Sequence, residues 1–147
     1  MVPPLRVFFD ASVLIAAGAF PSGGSALAAE VCVRGLAKAL VTRLVLWEAE
    51  RNLHAKFPAS ALVEFYNLVG QLNPEVVPNP SPAEIHAAGK VVAAKDAHVL
   101  AGARAGNATH LLTLDRSHFL GRKTRAAILP IVVCTPGEFL RLLVASD

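Results

Sequence analysis

The sequence predicts an α/β fold in which a single-domain, doubly wound parallel sheet is flanked by helices. Short, continuously apolar segments alternate along the chain with helical segments, and such runs are typical of parallel strands covered on both faces. Hydrophobic residues make up 54% of the chain and charged residues only 17%, which excludes a disordered protein. A length of 147 residues suffices for one domain with a substantial core, so we expect a single domain over 1–147.

Five segments have the short, apolar composition of strands. They are 7–9, 39–42, 75–77, 110–114 and 131–134. The intervening segments have helical composition and predict helices over 12–20, 25–35, 43–57, 59–72, 82–94, 96–105 and 139–144. This alternation predicts right-handed crossovers and a ligand site beyond the carboxyl ends of the strands.

Three short motifs predict where helices begin or end. Ser81, Pro82 and Glu84 combine an N-cap residue, a proline at the first helical position and a capping glutamate. The segment 135–138, Thr-Pro-Gly-Glu, repeats this pattern before the last helix. The Gly-Asn pair at 106–107 suits a left-handed C-cap.

The few charged residues are placed unevenly. Lys and Arg total 14 against 11 acids, and the resulting charge of +3 permits binding to a polyanion without indicating it. Asp10, Asp96 and Asp115 all adjoin apolar segments, where an unpaired charge is costly. Asp10 and Asp115 each end a predicted strand, so in a parallel sheet both emerge at the same edge. Asp96 begins a helix on its core-facing side, and we therefore expect three carboxylates to converge.

Each of these acids also has a purely structural interpretation. Asp10 or Asp96 could cap the helix that follows it, and Asp115 could make an Asx-turn. A fourth acid would come from the segment 47–51, where Glu48 and Glu50 lie on opposite borders of the apolar helical face. Periodicity leaves both glutamates open.

Converging carboxylates predict a particular chemistry. They repel one another, so the cluster is stable mainly when a cation neutralises them or when some of them are protonated. Ligand sets made only of oxygen select hard ions such as Mg²⁺ or Mn²⁺, which also attract phosphate oxygens. The predicted reaction is therefore the metal-assisted hydrolysis of a phosphodiester.

Several segments, in this order, resemble the PIN-domain ribonucleases. They are FDASVLI at 9–15, Glu48, KDAHVLAGA at 95–103, LTLDRSHF at 112–119 and TPGEF at 135–139. The resemblance extends over nearly the whole chain. The resemblance implies a doubly wound parallel sheet and Mg²⁺- or Mn²⁺-dependent cleavage of RNA. Within this family the chain is similar to the VapC-type toxins of toxin–antitoxin pairs, and this similarity implies an antitoxin partner.

Carried over by position, the resemblance implies a catalytic and metal-binding quartet of Asp10, Glu48, Asp96 and Asp115. Glu48 is preferred to Glu50 because the middle acid of the family precedes a segment like Ala-Glu-Arg-Asn-Leu. Ser12 stands where Asn is common in the family, and its hydroxyl could still bond a carboxylate or a metal-bound water. Thr113 is a second candidate donor of this kind.

A basic cluster follows Asp115 in the sequence. Its members are Arg116, Arg122, Lys123 and Arg125. They either bind the phosphates that flank the cleaved bond or belong to a solvated loop, and both interpretations stay open.

The remaining distinctive residues receive plainer interpretations. The five histidines lack the spacing of a zinc site, and we expect them at the surface or in turns. The aromatic side chains of Trp47, Phe57, Phe65 and Tyr66 are expected to pack helices together or to form the face of a homodimer rather than to stack on bases.

Two features of the composition predict the compartment. Cys32 and Cys134 form no motif, which favours buried thiols in a reduced, cytoplasmic protein. No apolar run approaches the ~18 residues of a transmembrane helix, so no membrane association is expected.

Two other functions compete with the ribonuclease. Phosphoryl transfer through an aspartyl intermediate at Asp10 usually needs a second acid two residues later, where this chain has Ser12. The alternative outside enzymes is a catalytically inactive PIN-like module that binds RNA or protein.

Overall fold

The central sheet of this protein is all parallel. A computed structural model describes residues 4–145, so the first three and last two residues of the predicted domain lie outside the described part. Within it there are five strands: β1 (Arg6–Phe9), β2 (Lys38–Thr42), β3 (Glu75–Val77), β4 (His110–Leu112) and β5 (Val132–Cys134). Their order in the sheet is β3-β2-β1-β4-β5, which confirms the predicted doubly wound fold.

Helices precede and follow the strands along the described chain. Their bounds are α1 (Ala11–Ala19), α2 (Gly24–Val33), α3 (Arg43–Lys56), α4 (Ala59–Leu72), α5 (Pro82–Ala88), α6 (Ala97–Ala105), α7 (Arg122–Ile128) and α8 (Pro136–Ala145), and a single 3₁₀ turn covers Ala94–Asp96.

The middle of the sheet forms the core of the molecule. Val7, Phe8 and Phe9 of β1 are completely buried, as are Leu111 and Leu112 of β4. Burial of every side chain on a strand requires cover on both faces, which is what the continuous apolar runs predict. The strand order changes direction between β1 and β4, and ligands in open α/β sheets bind at such a switch point.

The predicted capping motifs are present. Ser81 Oγ accepts a hydrogen bond from the Glu84 backbone N–H at 3.2 Å, and Glu84 Oε1 accepts from the Ser81 backbone N–H at 2.9 Å. Thr135 and Glu138 make the same reciprocal pair at 3.1 and 2.8 Å. Asn107 takes the left-handed conformation after α6, with a φ of 53°. These local motifs therefore act as the sequence predicts.

Two predicted elements are shorter in the structure. The predicted helix 82–94 ends at Ala88 because Gly89 interrupts it, and turns connect it to the 3₁₀ turn. The predicted strand 110–114 ends at Leu112, since the next backbone N–H groups of Leu114 and Asp115 bond to side-chain hydroxyls instead of continuing a ladder.

Helix α7 is not predicted by the sequence. Its segment has no apolar periodicity, because only Ile128 among its residues is buried, and its N-cap position is a glycine without a capping side chain. The helix nevertheless carries three residues of the predicted basic cluster: Arg122, Lys123 and Arg125.

The two cysteines are free and buried, as predicted. Burial raises the pKa of each thiol to about 12. Within residues 4–145 no single helix has both the length and the apolar character that a membrane crossing requires, and α1 and α2 reach them only as a pair bent by 102° at the break between them.

Candidate functional site

Asp10 directly follows β1 and lies at the strand-order switch. Its carboxylate does not cap α1 with a side-chain hydrogen bond. Instead, Oδ2 accepts one hydrogen bond from Ser12 Oγ at 2.9 Å and another from Thr113 Oγ1 at 2.7 Å. The structural interpretation of Asp10 as a helix cap is therefore wrong, and both hydroxyls that the sequence singled out bond to this carboxylate.

The same two hydroxyls connect β1 to the chain that leaves β4. Ser12 Oγ accepts from the backbone N–H of Leu114 at 3.1 Å, and Thr113 Oγ1 accepts from that of Asp115 at 3.0 Å. Each hydroxyl thus donates to Asp10 and accepts from the segment that carries Asp115. Because Thr113 is completely buried, this connection is held in one geometry.

Asp115 is bonded mainly by its own turn. Oδ1 accepts from the backbone N–H groups of Ser117 and His118 at 3.1 Å each, so the Asx-turn that the sequence allowed is present. His118 Nδ1 lies 3.1 Å from both carboxylate oxygens. Burial opposes ionisation, but the hydrogen bonds from His118 outweigh it and leave the pKa of Asp115 below its usual value.

Asp96 is the carboxylate without hydrogen bonds to satisfy it. It stands at the N-cap position of α6, yet its side chain makes no capping bond, and its Oδ2 is buried without a hydrogen-bond partner among the described residues. Burial raises its pKa above the usual value, and the charges of Asp115 and Asp10 add to this effect against the attraction of Lys95 and His118. An unsatisfied buried carboxylate oxygen is costly, and a bound cation would relieve that cost.

The donor set of Asp96, Asp115 and His118 could hold a metal ion. One ligand atom from each residue lies within 4.8 Å of the others. The residues fit a cation for a second reason, because the exposed Lys95 already brings its ammonium group to 4.0 Å from Asp96 Oδ1 and 3.8 Å from Asp115 Oδ2. Carboxylate oxygens suit hard cations, whereas an imidazole nitrogen suits transition metals better than Mg²⁺.

The two glutamates of α3 point to different neighbours. Glu48 Oε1 lies 2.7 Å from His98 Nε2 on α6, two residues after Asp96. Glu50 Oε2 instead accepts a hydrogen bond from the Tyr66 hydroxyl on α4 at 2.8 Å. Glu48 is therefore the glutamate that reaches α6, the helix that follows Asp96, although it is not one of the three residues whose ligand atoms meet.

The predicted basic cluster divides into two parts. Arg116, Arg122 and Lys123 are exposed. Arg125 is not free to bind a phosphate, because its Nη1 lies 3.1 Å from Glu138 Oε2 and its Nε donates to the carbonyl of Leu120 at 3.0 Å. Its role as a phosphate ligand stays a prediction that now requires Arg125 to leave Glu138, a pairing with α8 that could not be read from the local sequence.

The expectation that all histidines lie at the surface or in turns is wrong for two of them. His54 and His86 are exposed, and the partly buried His118 lies in the turn after Asp115, but His98 contacts Glu48 and His110 lies in β4, where burial lowers its pKa. The sequence analysis did not assign His118 to the site. The available signal was its place three residues after a strand-ending acid, a spacing that returns a side chain to that acid within one turn.

Comparisons with known proteins identify a similar fold. No protein-family model matches the chain, and no curated protein sequence matches it. Among solved structures, the chain is similar to the crystal structure of PAE2754 from Pyrobaculum aerophilum, with 17% identity and a TM-score of 0.65 over 97% of this chain and 91% of that chain. At this identity the likeness shows the fold alone, and that fold agrees with the α/β prediction.

Proposed function

We propose that this protein is a divalent-cation-dependent endoribonuclease that hydrolyses RNA phosphodiester bonds. The observation that carries the proposal is the meeting of Asp10, Asp96 and Asp115 at the switch point of the sheet, with one buried carboxylate oxygen left unsatisfied. Fold stability alone gives no reason to gather like charges there, because carboxylates that repel one another destabilise the folded chain.

The proposed ligands of Mg²⁺ or Mn²⁺ are Asp96 and Asp115, with Asp10 and Glu48 completing an acidic quartet. When bound, such an ion supplies a Lewis acid for the phosphoryl oxygens and lowers the pKa of a water molecule. The His118 nitrogen supports Mn²⁺ in preference to Mg²⁺.

The chain's own residues have three tasks in this proposal. Ser12 and Thr113 orient the carboxylate of Asp10 by donating to its Oδ2. His118 orients Asp115 in the same way. Exposed Arg116, and with it Arg122 and Lys123, would bind phosphates beside the cleaved bond, since phosphate contacts position a nucleic acid without reading its sequence.

The biological setting follows from the resemblance to PIN-domain toxins. On that basis we propose a cytoplasmic toxin with an antitoxin partner, a role that co-expression with the product of the adjacent reading frame would test. The exposed side chains of Val63 and Tyr66 on α4 support the proposed homodimer, which analytical ultracentrifugation would test.

The experiment that tests the enzymatic proposal combines metal binding with RNA cleavage. Calorimetric titration of the full chain with Mn²⁺ should release or absorb heat, and single-stranded RNA should be cut in Mn²⁺ or Mg²⁺ but not in EDTA. Glu48→Gln should weaken both signals. Glu50→Gln is the matched control, because Glu50 lies on the same helix and bonds to Tyr66 instead, and this variant should behave like the wild type.

The outcomes separate the candidate functions. Mn²⁺ binding without cleavage of any RNA would favour the inactive RNA- or protein-binding module over the enzyme. Absence of both binding heat and thermal stabilisation by metal would contradict the proposed metal centre itself.

A further inference from the structure

A surface pocket of about 330 Å³ adjoins the acidic quartet on α3. Its lining residues are Trp47, Glu48, Arg51, Asn52, Ala55 and Lys56, which we call the Trp47 pocket. Glu48 connects it to the acidic cluster, since this side chain contacts His98, two residues after Asp96. A ligand in the pocket would therefore lie next to the proposed reaction centre.

Trp47 is unusually accessible for so large an apolar side chain. It is 52% exposed, and the guanidinium carbon of Arg51 lies 5.2 Å from the centre of its ring. Of the two roles expected for Trp47, its exposure does not fit packing between helices and leaves the face of a homodimer as a prediction, whereas Phe65 is buried. The guanidinium lies over one face of the exposed indole, and its outer side offers a flat cationic surface to a planar, polarisable ligand.

The polar members of the pocket suit a ligand that is flat at one end and anionic at the other. Arg51 and Lys56 are both exposed cations. Glu48 also lines the pocket, and its Oε1 lies 2.7 Å from His98 Nε2, which partners this carboxylate. Asn52 adds an amide that both donates and accepts hydrogen bonds, as recognition of a base edge requires.

We propose that the Trp47 pocket binds one unpaired nucleotide of the RNA that flanks the cleaved bond, with its base stacked on the Arg51 guanidinium where this group lies over Trp47, and its phosphate near Lys56. The inference rests on the proposed ribonuclease function and specifies its substrate as single-stranded. In a duplex the faces of the bases are already stacked on one another, so only an unpaired base can occupy the pocket.

The other side of Trp47 provides a contrast within the same helix. A second depression of about 290 Å³ is lined there chiefly by the apolar residues Leu46, Phe65 and Val69, with Arg43 at its border. That apolar depression lacks the pair of exposed cations found in the Trp47 pocket. Binding of a nucleotide should therefore depend on Arg51 and Lys56 but not on Arg43.

The test uses the fluorescence of Trp47, which is the only tryptophan of the chain. The full chain in EDTA is titrated with a single-stranded 2′-O-methyl RNA oligonucleotide and, separately, with the duplex of the same sequence. The single strand should quench the fluorescence to saturation, and the apparent Kd should rise with salt. The duplex should bind at least about 10-fold more weakly, a factor of the order of one stacking contact.

Variants then assign the signal to the pocket. Arg51→Ala and Lys56→Ala should each raise the Kd for the single strand by about 3- to 10-fold, whereas the control Arg43→Ala should leave it unchanged. Because Trp47→Leu removes the fluorophore, its binding is measured by anisotropy of a labelled oligonucleotide. It should lose about 10-fold in affinity, and Trp47→Phe should recover most of that loss.

The inference is overturned if the single strand leaves Trp47 fluorescence unchanged, or if the duplex quenches it equally well. It is also overturned if the fluorescence changes with protein concentration alone, which would mean that a second copy covers the indole. Cleavage of RNA in Mn²⁺ without quenching would overturn the pocket and leave the ribonuclease intact. Quenching without cleavage in any divalent cation would overturn the ribonuclease and leave the pocket.

Discussion

The charged residues at the two ends of β1 have opposite surroundings. At the amino end, Arg6 donates to both carboxylate oxygens of Glu75 at 3.1 and 2.7 Å and to the carbonyl of Gly106 at 3.0 and 2.7 Å. At the carboxyl end, four residues later, the charges of Asp10 and Asp115 act on Asp96, and one buried oxygen of Asp96 has no hydrogen-bond partner among the described residues, its contact with His118 Nδ1 being 3.8 Å long.

This difference separates a charge that stabilises the fold from one that the proposed metal site would use. The guanidinium of Arg6 is neutralised by an acid, and its four hydrogen bonds all go to acceptors within the chain. At the other end Asp10 and Asp115 accept hydrogen bonds, but the buried Asp96 is repelled by both and keeps one oxygen without a hydrogen bond. A folded protein retains such an arrangement at the cost of stability, and functional sites are where that occurs.

The largest effect on RNA cleavage is expected from neutralising Asp96, at the carboxyl end of β1. Asp96→Asn should lower cation-dependent RNA cleavage by more than the roughly 100-fold that loss of an outer hydrogen bond around a metal costs. In EDTA its melting temperature should equal or exceed that of the wild type, because the amide carries no repelled charge. Glu30→Gln, which changes an exposed acid of α2, is the matched control and should retain full activity. Wild-type cleavage by Asp96→Asn would contradict the quartet.

The second effect concerns the hydroxyl that connects β1 to β4. Thr113→Val keeps the shape of the buried side chain but removes the donor to Asp10 and the acceptor for the Asp115 backbone N–H. Calorimetry should show a Kd for Mn²⁺ that is about 10- to 100-fold higher. Thr113→Ser keeps the hydroxyl and should lie close to the wild type. Equal Mn²⁺ affinity in Thr113→Val would mean that the hydroxyl does not orient Asp10.

A smaller effect, on stability alone, is expected at the amino end of β1, where Arg6 is paired. Arg6→Met should lower the free energy of unfolding by about 1–2 kcal/mol, because the variant loses charge-assisted hydrogen bonds to Gly106 and the partly exposed pair with Glu75. Urea denaturation measures this change. Arg34→Met breaks a more exposed ion pair with Glu30 and should change stability by no more than about 0.5 kcal/mol. Cleavage per folded molecule should be unaffected by either substitution.

The smallest effect is the pH dependence, which has opposite signs at the two ends. The hydrogen bond from Arg6 holds the pKa of Glu75 below its usual 4.5, so this pair stabilises the fold above that pH and the benefit is lost as the pH falls through the lowered pKa. Burial raises the pKa of Asp96 above its usual 3.8, so its contribution is most favourable below that pH and is lost as the pH rises through the raised pKa.

Denaturation in EDTA between pH 3 and pH 7 would show both signs. In the wild type, the Arg6–Glu75 pair should contribute a decrease of less than about 1 kcal/mol in the free energy of unfolding toward pH 3, since the pair is partly exposed to solvent. Glu75→Gln should abolish that decrease. Asp96→Asn should be more stable than the wild type at pH 7 and should lose that advantage toward pH 3. A wild-type advantage at pH 7 would show that Asp96 is stabilised by its neighbours rather than strained by them.

The acidic cluster illustrates how far a sequence can predict a site. Asp10 and Asp115 could be paired in advance because parallel strands end at one edge, and the apolar runs before them predict the strands. This deduction needs no more than the period of a strand and the direction of a parallel sheet. Ser12 was named through the resemblance instead, as the residue where the family commonly has Asn, and Thr113 as a second hydroxyl of this kind.

Other members of the site depended on contacts between distant elements. Glu48 and Glu50 have equivalent places on the helical wheel, and only the packing of α6 and α4 against α3 separates them. The sequence does not distinguish Arg125 from Arg122 as a phosphate ligand, and only the folded structure shows that Arg125 is paired with Glu138 on α8. The position of His118 three residues after Asp115 was a signal, but only the folded turn shows that its Nδ1 also lies 3.8 Å from Asp96 Oδ2.

By itself the sequence determined the order of the strands and of every helix except α7, the capping motifs and the edge at which Asp10 and Asp115 emerge. These features depend on periodicity and on backbone preferences, which act between residues close in the chain. The tertiary structure alone decided which oxygen of Asp96 has no hydrogen bond, which glutamate contacts α6 and which cations are already paired. Those outcomes depend on the packing of side chains from different elements, and the local pattern carries no information about that packing.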